Sequence, residues 1–282
     1  MAGIEFLKGH GTQNDFVLLP DSDASLELTE RRVAALCDRQ QGLGADGVLR
    51  VVRSEALGLE SKGEWFMDYR NADGSIAEMC GNGVRVFARY LVEAGLETGP
   101  EFVVGTRAGD RPVRVRPDAS GELAVTVHMG PVAVTGTSVA VVDGRQVSGV
   151  AVDVGNPHLV SVLDDDVSAL DLTRAPRYDA EVFPQGVNLE FVNVLGPDAL
   201  RMRVHERGVG ETRACGTGTV AAVAATLHLR GDDSGEATVD VPGGRVAVTV
   251  RQGASTLTGP AVFVAKGELD AAWWNALDWS GH

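Results

Sequence analysis

Apolar, largely β-branched runs broken by turn residues make up most of this chain. "EWFMDY", "PVRVRP", "ELAVTVHM", "ALRMRV" and "EATVDVPGGRVAVTV" each read as strands or strand pairs. Asp143-Gly144 separates "VAVV" from "RQVSGVAVDV", which predicts a hairpin, and Asp118 to Gly121 separate two further strands. Helical patterns are few. "TERRVAALCDRQ" starts at Thr29, a good N-cap, and stops before Gly42. "NGVRVFARYLVEAG" places Val84, Phe87 and Leu91 on one face and Arg85, Arg89 and Glu93 on another, and ends at Gly95. "GTVAAVAATLHLRG" is apolar nearly all round, so it must be buried on most sides.

The pattern repeats. At an offset of 135 residues, the interval between Cys80 and Cys215, Met67 falls on Met202, Gly81 on Gly216 and Gly83 on Gly218. Each cysteine follows a strand and a polar, glycine-containing loop, and each precedes a helix and then β-branched runs. The expected fold class is α+β: two similar domains, each a curved mixed β-sheet or barrel wrapped around a long central helix, related by an internal pseudo-twofold repeat. The boundary is expected near "HMGPVAVTGTS", giving domains 1–130 and 131–261.

The chain has 282 residues, with 44% hydrophobic and 23% charged, in keeping with a globular protein. No apolar run reaches the roughly 18 residues of a membrane span. The start, "MAGIEFLKGHGTQNDF", lacks the basic and apolar regions of a signal peptide and reads as a first strand. A net charge of −14 repels phosphate backbones, so nucleic acid is not an expected partner, and with no apolar run of spanning length neither is a membrane. Three cysteines form neither a disulfide framework nor a zinc quartet, so no metal site is expected. Free thiols fit a reducing, cytoplasmic setting.

Cys80 and Cys215 each precede Gly-X-Gly at a predicted helix start. A helix N-terminus offers unpaired N–H groups and the positive end of the dipole, which stabilise a thiolate and can hold a small carboxylate. Two such motifs in a repeated fold can aim two sulfurs at one carbon from opposite sides. If that carbon is the Cα of an amino acid, one thiolate removes its proton and the other thiol supplies one, inverting the centre. That chemistry needs no cofactor. Cys37 lies mid-helix among apolar neighbours and is expected in the core.

"GTQNDF", "RNADGSIAEMCGNG", "VGNPH", "GVNLEF" and "HERGVGETRACGTG" resemble, in order and over nearly the whole chain, the diaminopimelate epimerase family. The resemblance implies a cofactor-independent isomerase that interconverts LL- and meso-diaminopimelate, a precursor of lysine and peptidoglycan. Cys80 and Cys215 would be the two acid–base residues. The carboxylate at the reacting end would lie on backbone N–H groups of Gly81, Asn82, Gly216 and Thr217. Arg207 suits the distant carboxylate and Glu206 the ammonium, while Asn14, Asn71, Asn156 and Asn188 can read both groups. His158 or Glu206 would tune a thiol, and His205 looks structural. The resemblance further implies a homodimer, and a last segment, residues 262–282, that returns to the first domain. One departure stands out: Gly47 in "GLGADG" takes the place of a glutamine frequent in the family. The related proline racemases usually have His where Asn82 stands. A racemase acting on proline, a redox protein cycling a Cys80–Cys215 disulfide, and a binding protein without catalysis are the alternatives.

Overall fold

A computed structural model describes residues 3–252 and 254–277. Of the last segment expected to return to the first domain, residues 278–282 lie outside the described residues. The chain runs β1 (Ile4–Gly11), β2 (Asn14–Pro20), α1 (Glu30–Cys37), β3 (Gly47–Arg53), β4 (Trp65–Asn71), α2 (Gly81–Glu93), β5 (Glu101–Gly105), β6 (Arg111–Pro117) and β7 (Leu123–Gly130). It continues through β8 (Ala133–Val142), β9 (Arg145–Asp153), β10 (Pro157–Val162), β11 (Arg177–Tyr178), β12 (Asn188–Gly196), β13 (Ala199–Glu206) and β14 (Gly210–Thr212). Then follow α3 (Gly216–Arg230), β15 (Gly235–Val241), β16 (Gly244–Arg251), β17 (Ala254–Pro260), β18 (Val262–Leu269) and α4 (Ala271–Ala276). One compact unit extends through Val127 and resumes at Pro260; the other is His128–Gly259.

In the first unit the strand order is β18–β1–β2–β3–β4–β5–β6–β7, parallel at β2–β3 and β4–β5 and antiparallel elsewhere. In the second the matching eight strands run β8–β9–β10–β12–β13–β15–β16–β17, parallel at β10–β12 and β13–β15 and antiparallel elsewhere, with short β11 added antiparallel on β8 and β14 on β13. Along these eight strands the succession of pairings is the same in both. Parallel neighbours need a long crossover, and α2 and α3 supply it between β4 and β5 and between β13 and β15. Each sheet curves around its crossover helix: α2 packs on β1, β2, β3, β4 and β6, and α3 on β8, β9, β10, β12, β13, β15 and β16.

The local signals explain the local structure. Thr29 caps α1, its Oγ1 accepting from the Arg32 N–H at 3.2 Å. The β8–β9 hairpin turns on Asp143 and Gly144, at φ 51° and 75°. From Val220 to Leu227, α3 is buried throughout, as its all-round apolarity requires. Cys37 lies in the core with Val33, Leu36 and Trp274, and burial pushes its thiol up to about 12.

One expectation fails on α2. Arg89 and Glu93 do pair, at 2.6 Å, but Arg85 is fully buried rather than on a polar face. The sheet encloses the first two turns of the helix on every side, so Gly81 through Ala88 are all buried. Arg85 is accommodated there by oxygen acceptors: Thr12 Oγ1 at 2.9 Å, the Pro260 carbonyl at 3.1 Å and Asn82 Oδ1.

Candidate active site

Both conspicuous cysteines are helix N-caps with extended backbone, Cys80 on α2 and Cys215 on α3. The N-cap position places a sulfur beside the first, unbonded N–H groups of a helix. Each of the two settings is built by its own unit.

In the first unit, Cys80 is half-buried and its Sγ donates to Asn14 Oδ1 at 3.4 Å. The same oxygen accepts from Asn82 Nδ2 at 3.2 Å, while Asn14 Nδ2 donates to Asp46 Oδ2 at 2.7 Å. Both ends of the Asn14 amide are thereby fixed. Arg39 bridges Asp46 at 2.9 Å and Asp15 at 2.8 Å, and Lys8 pairs with Asp15 at 2.6 Å. These contacts hold Asp15 well below the usual carboxylate range against the burial that opposes them. Asn71 ends β4 and uses its side chain on Ser75 Oγ at 3.0 Å, within the loop that leads to Cys80. A Cβ at Gly47 would meet Tyr69 Cε2 at 2.7 Å and the Arg70 carbonyl at 2.5 Å. The Tyr69 ring thus fills the place a side chain would take, and none can stand at position 47 without rearrangement.

In the second unit, Cys215 is 7% exposed, with the Gly218 N–H at 3.4 Å and Thr217 Oγ1 at 3.5 Å from its sulfur. The N–H groups of Gly216 and Thr217 have no acceptor among the described residues. Burial first, then the Glu206 and Glu190 carboxylates, push the Cys215 thiol well above its ordinary value. Glu206 accepts from Thr212 Oγ1, and its carboxylate acts on the neighbouring Cys215 thiol. Its own carboxyl is raised, by burial first and then by repulsion from Glu190. Thiol and carboxyl are thus both poised to keep a proton.

Behind them His158 Nδ1 lies 2.7 Å from Glu190 Oε1, and both side chains are wholly inaccessible. The other ring nitrogen is 3.0 Å from Asn156 Oδ1. Asn188 Oδ1 accepts from the Arg207 N–H at 2.8 Å, and the exposed Arg207 guanidinium donates to the Gln185 carbonyl at 3.0 Å. A Cβ at Gly218 would lie 2.6 Å from Glu190 Oε1, so only glycine lets this carboxylate reach the helix start.

The first setting therefore gathers Cys80, Gly81, Asn82 and Asn14. The second gathers Cys215, Gly216, Thr217 and Glu206, with His158 between Glu190 and Asn156, and Asn188 on Arg207. Sequence reasoning missed Thr12, Arg85 and Glu190. The available signal was a charged residue between apolar ones, in "NLEFV" and "GVRVF". His205 sits in β13, paired with Leu189 and Glu211 in the sheet.

Solved structures place the fold. A phenazine biosynthesis protein of the PhzF family from Bacillus anthracis superposes with TM-score 0.72 at 18% identity, covering 95% of this chain and 99% of that one. A hydroxyproline epimerase from Agrobacterium vitis, with trans-4-hydroxy-L-proline bound, superposes with TM-score 0.68 at 15% identity, covering 96% and 94%. The fold is thus one shared with amino acid epimerases. The sequence narrows this. The family model for diaminopimelate epimerase matches residues 6–135 and 150–264. Proteins named diaminopimelate epimerase from Rhodococcus opacus and Mycobacterium tuberculosis are each 56% identical, covering 97% and 96% of this chain and 100% and 99% of their own. The chain belongs to the diaminopimelate epimerase family. Among the described residues no helix is long and apolar enough to cross a membrane.

Proposed function

We propose that this enzyme interconverts LL- and meso-2,6-diaminopimelate by passing the Cα proton between Cys80 and Cys215. The observation that carries the mechanism is that each unit caps its central crossover helix with a cysteine. A thiolate Sγ on one face takes the Cα proton, and the bonding pair stays on Cα, delocalised into the carboxylate. The thiol on the other face delivers its proton to Cα. Atoms balance with no external acid, and both transfers use groups of the chain, so the reaction needs no cofactor.

The settings suit these roles. Cys215, pushed up by burial and two carboxylates, rests as a proton donor. When turnover runs the other way it must lose that proton, and the neighbouring Glu206, itself raised, is the acceptor at hand. The free N–H groups of Gly216 and Thr217 suit the reacting carboxylate and the charge that spreads into it, and the backbone of Gly81 and Asn82 at the start of α2 is the matching element of the first unit. One preorganised donor of this kind contributes on the order of 3 kcal/mol to such a transition state. Arg207, Asn188, Asn156, Asn71 and Asn14 carry the donors and acceptors that a distal amino acid end requires. A proline-like substrate has no such end. The reading includes a homodimer at work in the cytoplasm; sedimentation of the purified protein tests the first.

Turnover of LL-diaminopimelate in heavy water tests the chemistry. The meso product is expected to carry one deuterium at the inverted Cα. Unlabelled product, or turnover of proline with none of diaminopimelate, overturns the assignment. Cys80→Ala and Cys215→Ala should each lower kcat by at least about 10³-fold, since each removes one of the two proton-transfer groups.

A further inference from the structure

Arg85 is fully buried, yet it has no carboxylate partner among the described residues. Its guanidinium is held by neutral oxygens, Thr12 Oγ1, Asn82 Oδ1 and the Pro260 carbonyl, and its Nε has no partner. A buried charge left without a counter-charge is strongly unfavourable. The balancing charge must come from a group close by. His10 on β1 cannot supply it, since a histidine is neutral or positive and never a counter-anion. Asp15 on β2 is already taken by Lys8 and Arg39. Cys80, one turn back on the same helix, is the group whose charge acts on Arg85; burial pulls the guanidinium down to about 10 and Cys80 works against that.

The contacts run the same way. Arg85 holds Asn82 Oδ1, which turns Asn82 Nδ2 onto Asn14 Oδ1 at 3.2 Å, and Asn14 Oδ1 receives the Cys80 thiol. Thr12, the other side-chain partner, is held with its neighbour Gln13 at φ 49° and 63°, a left-handed conformation unusual for a β-branched residue. The turn between β1 and β2 is thus strained at the point where it meets the guanidinium.

We infer that Arg85 is the buried counter-cation of the Cys80 thiolate, a positioning residue that acts on the reaction only through Cys80. Asn14 accepts from the thiol, and Arg85 balances the charge left when the thiol's proton departs. The unpaired guanidinium is what makes Cys80 the opposite of Cys215, whose neighbours are carboxylates. The inference rests on reading Cys80 as an acid–base thiol. Its test is done without substrate, so it can fail while deuterium incorporation still succeeds.

The experiment is iodoacetamide labelling of Cys80, followed by mass spectrometry of its peptide at pH 7.5, in the parent, Arg85→Met and Arg85→Lys. Only the thiolate is alkylated, so Arg85→Met should slow Cys80 labelling by about tenfold or more, and Arg85→Lys should restore most of it. Unchanged labelling in Arg85→Met overturns the inference. So does equal slowing in Met and Lys, which would mean that shape rather than charge matters. If Arg85→Met fails to fold, Thr12→Asp and Thr12→Asn take its place. Both residues tolerate the left-handed turn, and only Asp gives the guanidinium a carboxylate. Cys80 should then label about tenfold more slowly in Thr12→Asp than in Thr12→Asn, and equal rates overturn the inference.

Discussion

Glu206 and Cys215 share a buried corner with Glu190, and charge decides where their protons reside. Two of the causes that hold the Cys215 thiol up are carboxylates, after burial itself. Glu206→Gln removes one, so Cys215 should titrate at lower pH and be alkylated faster at fixed pH. Turnover should fall all the same, by about 10²–10⁴-fold in kcat, because the amide cannot take the proton that Cys215 must shed. Faster labelling with slower turnover separates this role from a structural one. Stability follows the same sign. The folded protein holds the Glu206 proton more tightly than the unfolded chain, so stability declines as pH rises from about 4.5, the ordinary glutamate value, through the raised folded value. Urea unfolding of Glu206→Gln should lose that decline. At this scale the sequence shows the groups that stand beside glycine and cysteine. It hides Glu190 and Arg85, because a lone charge in an apolar stretch normally points to water, and only the enclosing sheet keeps these two inside.

Elements differ in how much of their setting is local. The start of α1 depends on Thr29 and little else, and the threonine ahead of the apolar pattern announces it. The start of α3 depends on a strand far away in sequence: Glu190 of β12 lies against Gly218, where a Cβ would come within 2.6 Å of its carboxylate. Two substitutions read out the contrast. Thr29→Ala should lower the unfolding free energy by about 1 kcal/mol, the usual effect of a lost N-cap, and leave kcat as it was. Gly218→Ala adds a methyl group where neither the helix backbone nor the wholly buried Glu190 has room. It should cost about 1–3 kcal/mol in stability and also displace the N–H groups beside Cys215, so kcat falls with it. Denaturant titration and initial rates on both variants check the pair. Hairpins and caps are legible in the sequence because neighbouring residues make them. The burial of α2 over its first two turns is not, because the sheet that surrounds it is assembled from strands on both sides of it in the chain.

Across the whole molecule, the repeat seen at an offset of 135 residues, from Cys80 to Cys215, covers the strand–loop–helix core of each unit. Strand pairing extends the match to the sheet edges and reveals a displacement no alignment of the halves contains. The position that β8 fills in the second unit, first in its own sequence, is filled in the first unit by β18, last in the chain. The first unit is therefore closed by a strand made after every other named strand. β18 covers the edge of β1, the segment before it gives carbonyls to Arg85 and Arg89, and α4 after it puts Trp274 against Arg32, 4.6 Å from ring centre to guanidinium. A chain ending at Gly259 would leave β1 as an exposed edge, expose Val17, Val33 and Leu36 where Leu269 and Trp274 covered them, and take from Arg85 the Pro260 carbonyl it donates to. The second unit keeps every strand of its own. Calorimetry of the shortened chain should then show loss of the first unit's transition and survival of the second's, and Cys80 should label without the protection that a folded helix start confers. Survival of both transitions would mean that the first sheet closes without β18.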